Sequence, residues 1–162
     1  MTDGFPPSAD WHVNRGRLHV QVALFLLRWA QRSRKWPSPA RQLVGIPVGL
    51  LYRFVSLALI GFDIPISTQI GPGLTIQHGV GLVVHNRAVI GAGVTLRQCT
   101  TIGSKQGSNP PRIADGVSVG PNCVILGPIS IGSYAQIGAG SVVLADVGES
   151  EVHAGNPARR LR

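Results

Sequence analysis

Two hydrophobic rhythms divide the chain. Residues 20–29 are apolar with Arg28 intruding, and the surrounding segment 10–35 fits one amphipathic helix. Trp36-Pro37-Ser38-Pro39 breaks it. Residues 40–60 then predict a second helix with Pro47 in its first turns. From residue 64 the rhythm changes, and aliphatic residues return every six positions. Ile64, Ile70 and Ile76 open the series; an eight-residue step leads to Val84, Ile90, Leu96 and Ile102. An eleven-residue step leads to Ile113, Val119, Ile125, Ile131, Ile137 and Val143. Glycine often follows directly, as in Ile70-Gly71, Ile90-Gly91 and Val119-Gly120.

A period of six is not helical and exceeds simple strand alternation. It predicts short parallel strands joined by tight turns, three to a coil, with the aliphatic residues stacked as an internal ladder about four coils tall. Glycine is expected to supply the turn conformations. The chain therefore divides into an N-terminal helical segment, residues 1–60, and a β-coil domain with a C-terminal tail, residues 61–162. Residues 1–9 are polar and proline-bearing and predict a loose terminus without the pattern of a signal peptide.

Composition sharpens this picture. The 162 residues include 21 glycines, nearly twice the usual share of about 7%. Glycine keeps no three-residue period, so a collagen helix is excluded. Cys99 and Cys123 are too few for a disulfide scaffold, which favours a reducing, cytoplasmic setting. Both cysteines are expected as small residues along the coil. The formal charge is +8; its excess lies mostly in residues 1–60, away from the coil. A nucleic-acid stripe is therefore not expected, whereas contact of the helical segment with a partner or the inner face of a membrane is. Residues 43–60 reach about the minimum length for a membrane crossing. Arg53, Pro47, Gly45 and Gly49 within them favour a buried helix hairpin, with peripheral attachment as the alternative.

The pattern resembles the hexapeptide-repeat acyltransferases, and within them the serine O-acetyltransferases and their short relatives of polysaccharide synthesis, the colanic-acid type. The resemblance covers nearly all of residues 10–162. It is carried by Gly61-Phe62-Asp63-Ile64, Ile76-Gln77-His78-Gly79, Gly81-Leu82-Val83-Val84, Arg112-Ile113-Ala114-Asp115-Gly116, Ile137-Gly138-Ala139-Gly140-Ser141-Val142-Val143 and Ala154-Gly155-Asn156-Pro157-Ala158-Arg159. It implies a mainly β fold, a left-handed parallel β-helix with an N-terminal α-helical segment. It also implies assembly into trimers, which pairing through the N-terminal helices could extend to hexamers.

By the same resemblance the reaction is direct acetyl transfer from acetyl-CoA to a hydroxyl, with His78 as general base and Asp63 orienting it. The chemistry asks for such a pair. An alcohol must lose its proton as it attacks a thioester, imidazole titrates near neutrality, and a carboxylate fixes the imidazole tautomer. Asp63 also suits a cap where helix meets coil, and His78 a surface turn. His85 is a second candidate base, more naturally an acceptor contact. His12 and His19 are expected to be structural or interfacial, and His153 lies toward the coenzyme end. The resemblance places coenzyme A against Gly103, Ser104, Pro121, Gly138 and Ala139, with Lys105, Arg159 and Arg160 toward its phosphates. No metal is expected.

Residues 104–112 (SKQGSNPPR) interrupt the repeat and predict a binding loop. Serine acetyltransferases carry an Arg-His pair there; Asn109-Pro110 stand in those places, and Asn86 replaces a glutamate. These departures favour a neutral acceptor such as a saccharide, contacted by His85, Asn86 and Asn109. Serine remains the alternative, with Lys105 or Arg112 meeting its carboxylate. A non-catalytic β-helix scaffold and a zinc-dependent β-helix enzyme are weighed against both. The zinc reading needs three converging histidines, which His78, His85 and His153 do not match in spacing.

Overall fold

The computed structural model describes residues 8–105 and 107–162. The helical segment comprises α1 (Ser8–Val13), α2 (Leu18–Ser33) and α3 (Ser38–Ile60). The single helix expected over 10–35 is split. Gly16 adopts a left-handed φ of 80°, and the buried Asn14 turns its amide onto the coil instead of continuing the helix: Nδ2 donates to the Leu74 carbonyl (2.8 Å) and Oδ1 accepts from the Ile76 amide (3.0 Å). The loose terminus expected over 1–9 lies largely outside the described residues; Ser8 and Ala9 already belong to α1.

The α2–α3 hairpin forms as expected, but α3 is not buried. It presents Gly45, Gly49, Tyr52, Ser56 and Ile60 inward, while Leu43 is 77% and Leu50 66% exposed. Gly45 is needed for this approach, since a Cβ there would stand 2.8 Å from the Ser33 hydroxyl. Gly61, at φ 86°, ends the helix and turns the chain into the coil.

The remainder is a parallel β-solenoid of about four turns with three faces. The first face stacks β1 (Gln69–Ile70), β4 (Val89–Ile90), β7 (Arg112–Ile113) and β10 (Ser130–Ile131). The second stacks β2 (Thr75–Gln77), β5 (Thr95–Arg97), β8 (Ser118–Val119) and β11 (Gln136–Ile137), then the antiparallel hairpin of β13 (Val152–Gly155) and β14 (Ala158–Arg160). The third stacks β3 (Val83–Val84), β6 (Thr101–Gly103), β9 (Val124–Leu126) and β12 (Val142–Val143).

Every residue of the predicted ladder, from Ile64 to Val143, is buried. A second interior ladder lies two residues before it: Phe62, Thr68, Leu74, Leu82, Ala88, Val94, Thr100, Val117, Cys123, Ile129, Ala135 and Ser141. Strand alternation requires this, because residues two apart share a face. Cys123 belongs to it, whereas Cys99 is exposed at a corner with φ 54°. The glycine after a ladder residue has a different purpose from the one expected. Gly71 has ordinary φ, but a Cβ on it would stand 2.5 Å from the Ala92 amide of the next coil. Close stacking of successive corners excludes a side chain there. The left-handed turns fall two residues later, as at Gly73 and Gly93.

The helices cap the start of the solenoid. Arg28, buried, donates to the carbonyls of Ile70 (2.8 Å) and Gly71 (2.6 Å) and pairs with Asp10 at 2.6 Å. Asp10 in turn accepts the Leu74 amide at 2.9 Å. Together with Asn14, these side chains satisfy backbone groups that an edge strand would otherwise leave open to pairing.

Candidate active site

The repeat breaks its count at two corners, and the candidate residues gather there. At the corner between the second and third faces, five residues separate Gln77 from Val83, whereas three separate Arg97 from Thr101 in the coil below, although both pairs are in register. The extra two residues swell the corner. His78 opens this swelling with φ 54° and an exposed imidazole. Gly79 tucks beneath it, where a Cβ would stand 3.0 Å from the Phe62 ring, and Val80 is exposed beside it. The Arg97 guanidinium holds Gln77, the residue before His78, through Oε1 at 2.9 Å, and is itself tied to Ser118 and the Val119 carbonyl.

Asp63 sits at the top of the third face. Its backbone pairs with Val83, donating to the Leu82 carbonyl (2.8 Å) and accepting the Val84 amide (2.9 Å). It is thus set against the strand that follows His78. Its carboxylate is held by Arg53 of α3 at 2.5 Å; among the described residues no hydrogen bond joins it to His78. Arg53 is positioned by the helix around it. The Tyr52 hydroxyl donates to the Ile64 carbonyl at 2.6 Å, and burial pushes that phenol's pKa upward. A cavity of about 540 Å³ opens beside Asp63 between α2 and α3, with Arg53, Gly49 and Pro65 in its wall. His78 lies outside it, on open surface.

The second break is at the corner between the third and first faces, where the chain leaves the coil at residues 104 and 105 and 107–109 and rejoins it at Pro111. Ser108 closes a turn in this loop by donating from Oγ (2.6 Å) and N (2.8 Å) to the Lys105 carbonyl. His85 lies one coil above the loop's root, its amide bonded to the Ile102 carbonyl. Its Nδ1 accepts the Arg87 amide at 3.1 Å, so Nε2 carries the proton. That tautomer makes His85 a donor toward a ligand and disfavours it as the base. Asn86 and Asn109 are exposed. Asn109 shares a cavity of about 370 Å³ with Arg87, Pro110 and Arg112.

The residues assigned to coenzyme divide between these corners. Gly103, Ser104 and Lys105 lie at the loop's root. Pro121, Gly138 and Ala139 lie on the His78 corner, two and three coils on, which puts Ala139 on the order of 15 Å along the edge at about 4.8 Å per coil. Their stack is tied by Gly140 donating to the Pro121 carbonyl (2.9 Å) and by Ser141 and Cys123 donating to the Gly138 carbonyl (2.6 and 3.1 Å). Burial raises the Cys123 thiol pKa, so this cysteine is a structural donor and no nucleophile. Arg159 is exposed on β14, paired in register with Ala154, whose Cβ closes on Gly138. Nearby, His153 and Arg160 both contact Glu151, at 2.9 and 2.8 Å. The hydrogen bond from His153 is the main cause holding that carboxyl below its ordinary pKa. His12 lies on α1 and His19 on α2, away from both corners. Among the described residues no group of three or more His, Cys, Asp or Glu side chains is placed to hold a metal ion.

Arg53, Arg87 and Arg97 were not expected at the site. Arg97 was within reach of the six-residue phase, because it and Gln77 each follow a ladder residue and so stack in register. Arg53 was not, because its meeting with Asp63 depends on how α3 docks on the coil.

Comparison with known proteins accords with this geometry. Residues 110–145 match the family described as bacterial transferase hexapeptide (six repeats). The chain is 34% identical over 144 residues to a putative colanic acid biosynthesis acetyltransferase, WcaB, of Escherichia coli (strain K12), covering 88% of this chain and 86% of that one. It is 43% identical over 105 residues to serine acetyltransferase 2 of Arabidopsis thaliana, covering 63% of this chain but 32% of the plant enzyme. A solved serine acetyltransferase in complex with CoA superposes with a TM-score of 0.76 at 28% identity, covering 96% of this chain and 67% of that one. Coil count, ladder and relatives agree that the chain belongs to the hexapeptide-repeat acetyltransferases, among the short serine acetyltransferase-like members.

Proposed function

We propose that the protein is an acetyl-CoA-dependent O-acetyltransferase whose acceptor is a hydroxyl of a saccharide or glycoconjugate precursor. The observation that carries the reading is His78, presented by the one corner where the coil gains two residues, at the head of an edge lined by Pro121, Gly138 and Ala139. Small residues let a thin acyl-carrying arm approach the backbone along that edge. His78 takes the acceptor's proton as its oxygen attacks the thioester carbonyl. The tetrahedral intermediate then collapses, the C–S bond breaks, and the imidazolium returns the proton to the leaving thiolate. Asp63 serves as the orienting carboxylate once it turns from Arg53 toward the imidazole.

The neutral acceptor is supported by the loop. Residues 104–111 contain no arginine or histidine, and Asn109 and the Nε2–H of His85 offer hydrogen bonds suited to hydroxyl groups. One observation favours serine as the second reading: Arg87 and Arg112 share a cavity with Asn109, where a carboxylate would be met. A thiol-release assay with acetyl-CoA and a panel of L-serine, homoserine, sugars and nucleotide sugars separates them. A sugar response supports the proposal; a response confined to L-serine overturns the acceptor class; no response to any hydroxyl overturns the enzyme.

We infer a homotrimer as the working unit. In one chain His78 lies on open surface beside exposed Val80 and Val83, and the coenzyme residues occupy two different corners. A second copy packed alongside would bring the His78 corner of one chain against the loop corner of the next. Mass measurement in solution tests this.

A further inference from the structure

The helical hairpin has an apolar outer surface, of which Ile46 and Leu50 also line the cavity beside Asp63 and the rest lies clear of the candidate site. On α3, Leu43, Ile46, Leu50, Phe54 and Leu57 follow one another at three- and four-residue spacing and are between 43% and 77% exposed. They lie opposite the inward-facing stripe of Gly45, Gly49, Tyr52, Ser56 and Ile60. On α2, Leu18, Val22, Phe25 and Trp29 repeat the pattern and are also exposed. Phe25, Trp29 and Trp36 run in sequence, with ring centroids 6.2 and 6.1 Å apart.

The charge carried by the helical segment itself is almost all of one sign. Between Asp10 and Asp63 the sequence contains no acidic residue and eight basic ones. Arg28 pairs with Asp10 and Arg53 with Asp63. Arg34 and Arg41 are exposed where α2 turns into α3, close to Trp36, and Arg15 is exposed just before α2 begins. A bare apolar face with exposed arginines at its ends and tryptophans at its margin is complementary to an anionic bilayer surface, where acyl chains meet the apolar stripe and phosphates meet the guanidinium groups. The hairpin would lie in the interface and not cross it. Arg53 is tied to Asp63, and the Tyr52 hydroxyl to the Ile64 carbonyl, so α3 stays clamped along the solenoid.

We propose that the α2–α3 hairpin docks the enzyme on the surface of a membrane rich in anionic lipid. Docking is independent of which hydroxyl is acetylated, so the two readings fail separately.

All three tryptophans lie within residues 11–36, so emission reads the hairpin directly. The full chain is mixed with vesicles of phosphatidylcholine alone and of phosphatidylcholine with phosphatidylglycerol. The expected result is a blue shift and at least about tenfold stronger partitioning on the phosphatidylglycerol vesicles, weakening as salt screens the contact. Leu43→Glu and Phe54→Glu, on the outer face and away from both site corners, should abolish partitioning while circular dichroism and native mass stay unchanged. Equal binding to both vesicle types, or no binding to either, would overturn the proposal. So would a loss of native mass in the two glutamate variants, which would make the face a contact between copies of the chain.

Discussion

Arg28 lies at the joint between helices and coil, and its removal is the most informative test of how the fold is closed. In Arg28→Met the hydrophobic stem is kept and the guanidinium is lost. Asp10, 2% exposed, is then left without its cation, and breaking a buried pair from one side costs about 3–5 kcal/mol. The carbonyls of Ile70 and Gly71 also lose their donors, at about 1 kcal/mol each if water does not reach them. For a chain of this length each kcal/mol moves the melting temperature by about 2–4 °C, so the charge alone predicts a fall of about 6–20 °C. The assay is thermal unfolding followed by circular dichroism, at one fixed protein concentration, since any assembly would add stability by mass action. The control is the double variant Asp10→Asn with Arg28→Met. The asparagine Oδ1 still accepts the Leu74 amide, and no charge is left buried, so at least half of the loss should return. A melting temperature within about 2 °C of the parent for Arg28→Met would refute the reasoning. A double variant no better than the single would place the cost in the carbonyls and not in the charge.

His78→Ala should lower kcat by at least about 10²-fold with little change in KM for acetyl-CoA; undiminished turnover would remove His78 as the base. Asp63→Asn should lower kcat, whereas Arg53→Ala should leave turnover equal or higher by freeing the carboxylate. The Arg53→Ala variant should melt within about 1 kcal/mol of the parent, since that pair is more than a third exposed. Gly71→Ala should cost about 1–3 kcal/mol in denaturant titration, because a Cβ there meets the backbone of the next coil; a neutral result would contradict close corner stacking. The lowered pKa of Glu151 contributes stability above the ordinary carboxylate range and loses it as pH falls through the lowered value. Glu151→Gln should therefore melt slightly lower than the parent at neutral pH, and the two melting curves should converge as pH falls below the ordinary carboxylate range of about 4.3.

The aliphatic ladder was legible because a single spacing repeats over 80 residues and every member from Ile64 to Val143 faces inward. Its companion ladder was not, because Thr68, Thr100, Cys123 and Ser141 interrupt it with polar or sulfur-bearing side chains that satisfy themselves inside the coil; Thr100, for instance, donates to the Gly120 carbonyl. The glycines were visible, but the reason for those that directly follow a ladder residue was not, since contact between successive coils cannot be seen in a linear spacing. The eleven-residue step located the 104–112 loop from sequence alone, whereas His78 was reached through the family resemblance and the eight-residue step shows in hindsight why the corner presents it. What joins Arg53 to Asp63, or Asn14 to the second face, lies between segments of different periodicity, and no periodicity reports on it. The exposure of α3 escaped for a related reason: its composition suits a core, and only the docked hairpin shows that one face meets nothing in the chain.

The way the loop leaves the coil has a consequence for how such an enzyme can change its substrate. Ile102 and Ile113 stay consecutive in the ladder although ten residues lie between them, so residues 104, 105 and 107–109 hang outside the stack that holds the fold together, while Pro111 is already back in it and accepts the Val89 amide. Doubling the length of such a loop would add only about 0.6 kcal/mol of closure entropy. On the proposed reading of the loop, acceptor choice and stability are written in different residues: the rungs can stay the same to the last methyl group while the loop is rewritten, and a graft of residues 104–109 from a relative of different specificity should fold without any change to the ladder.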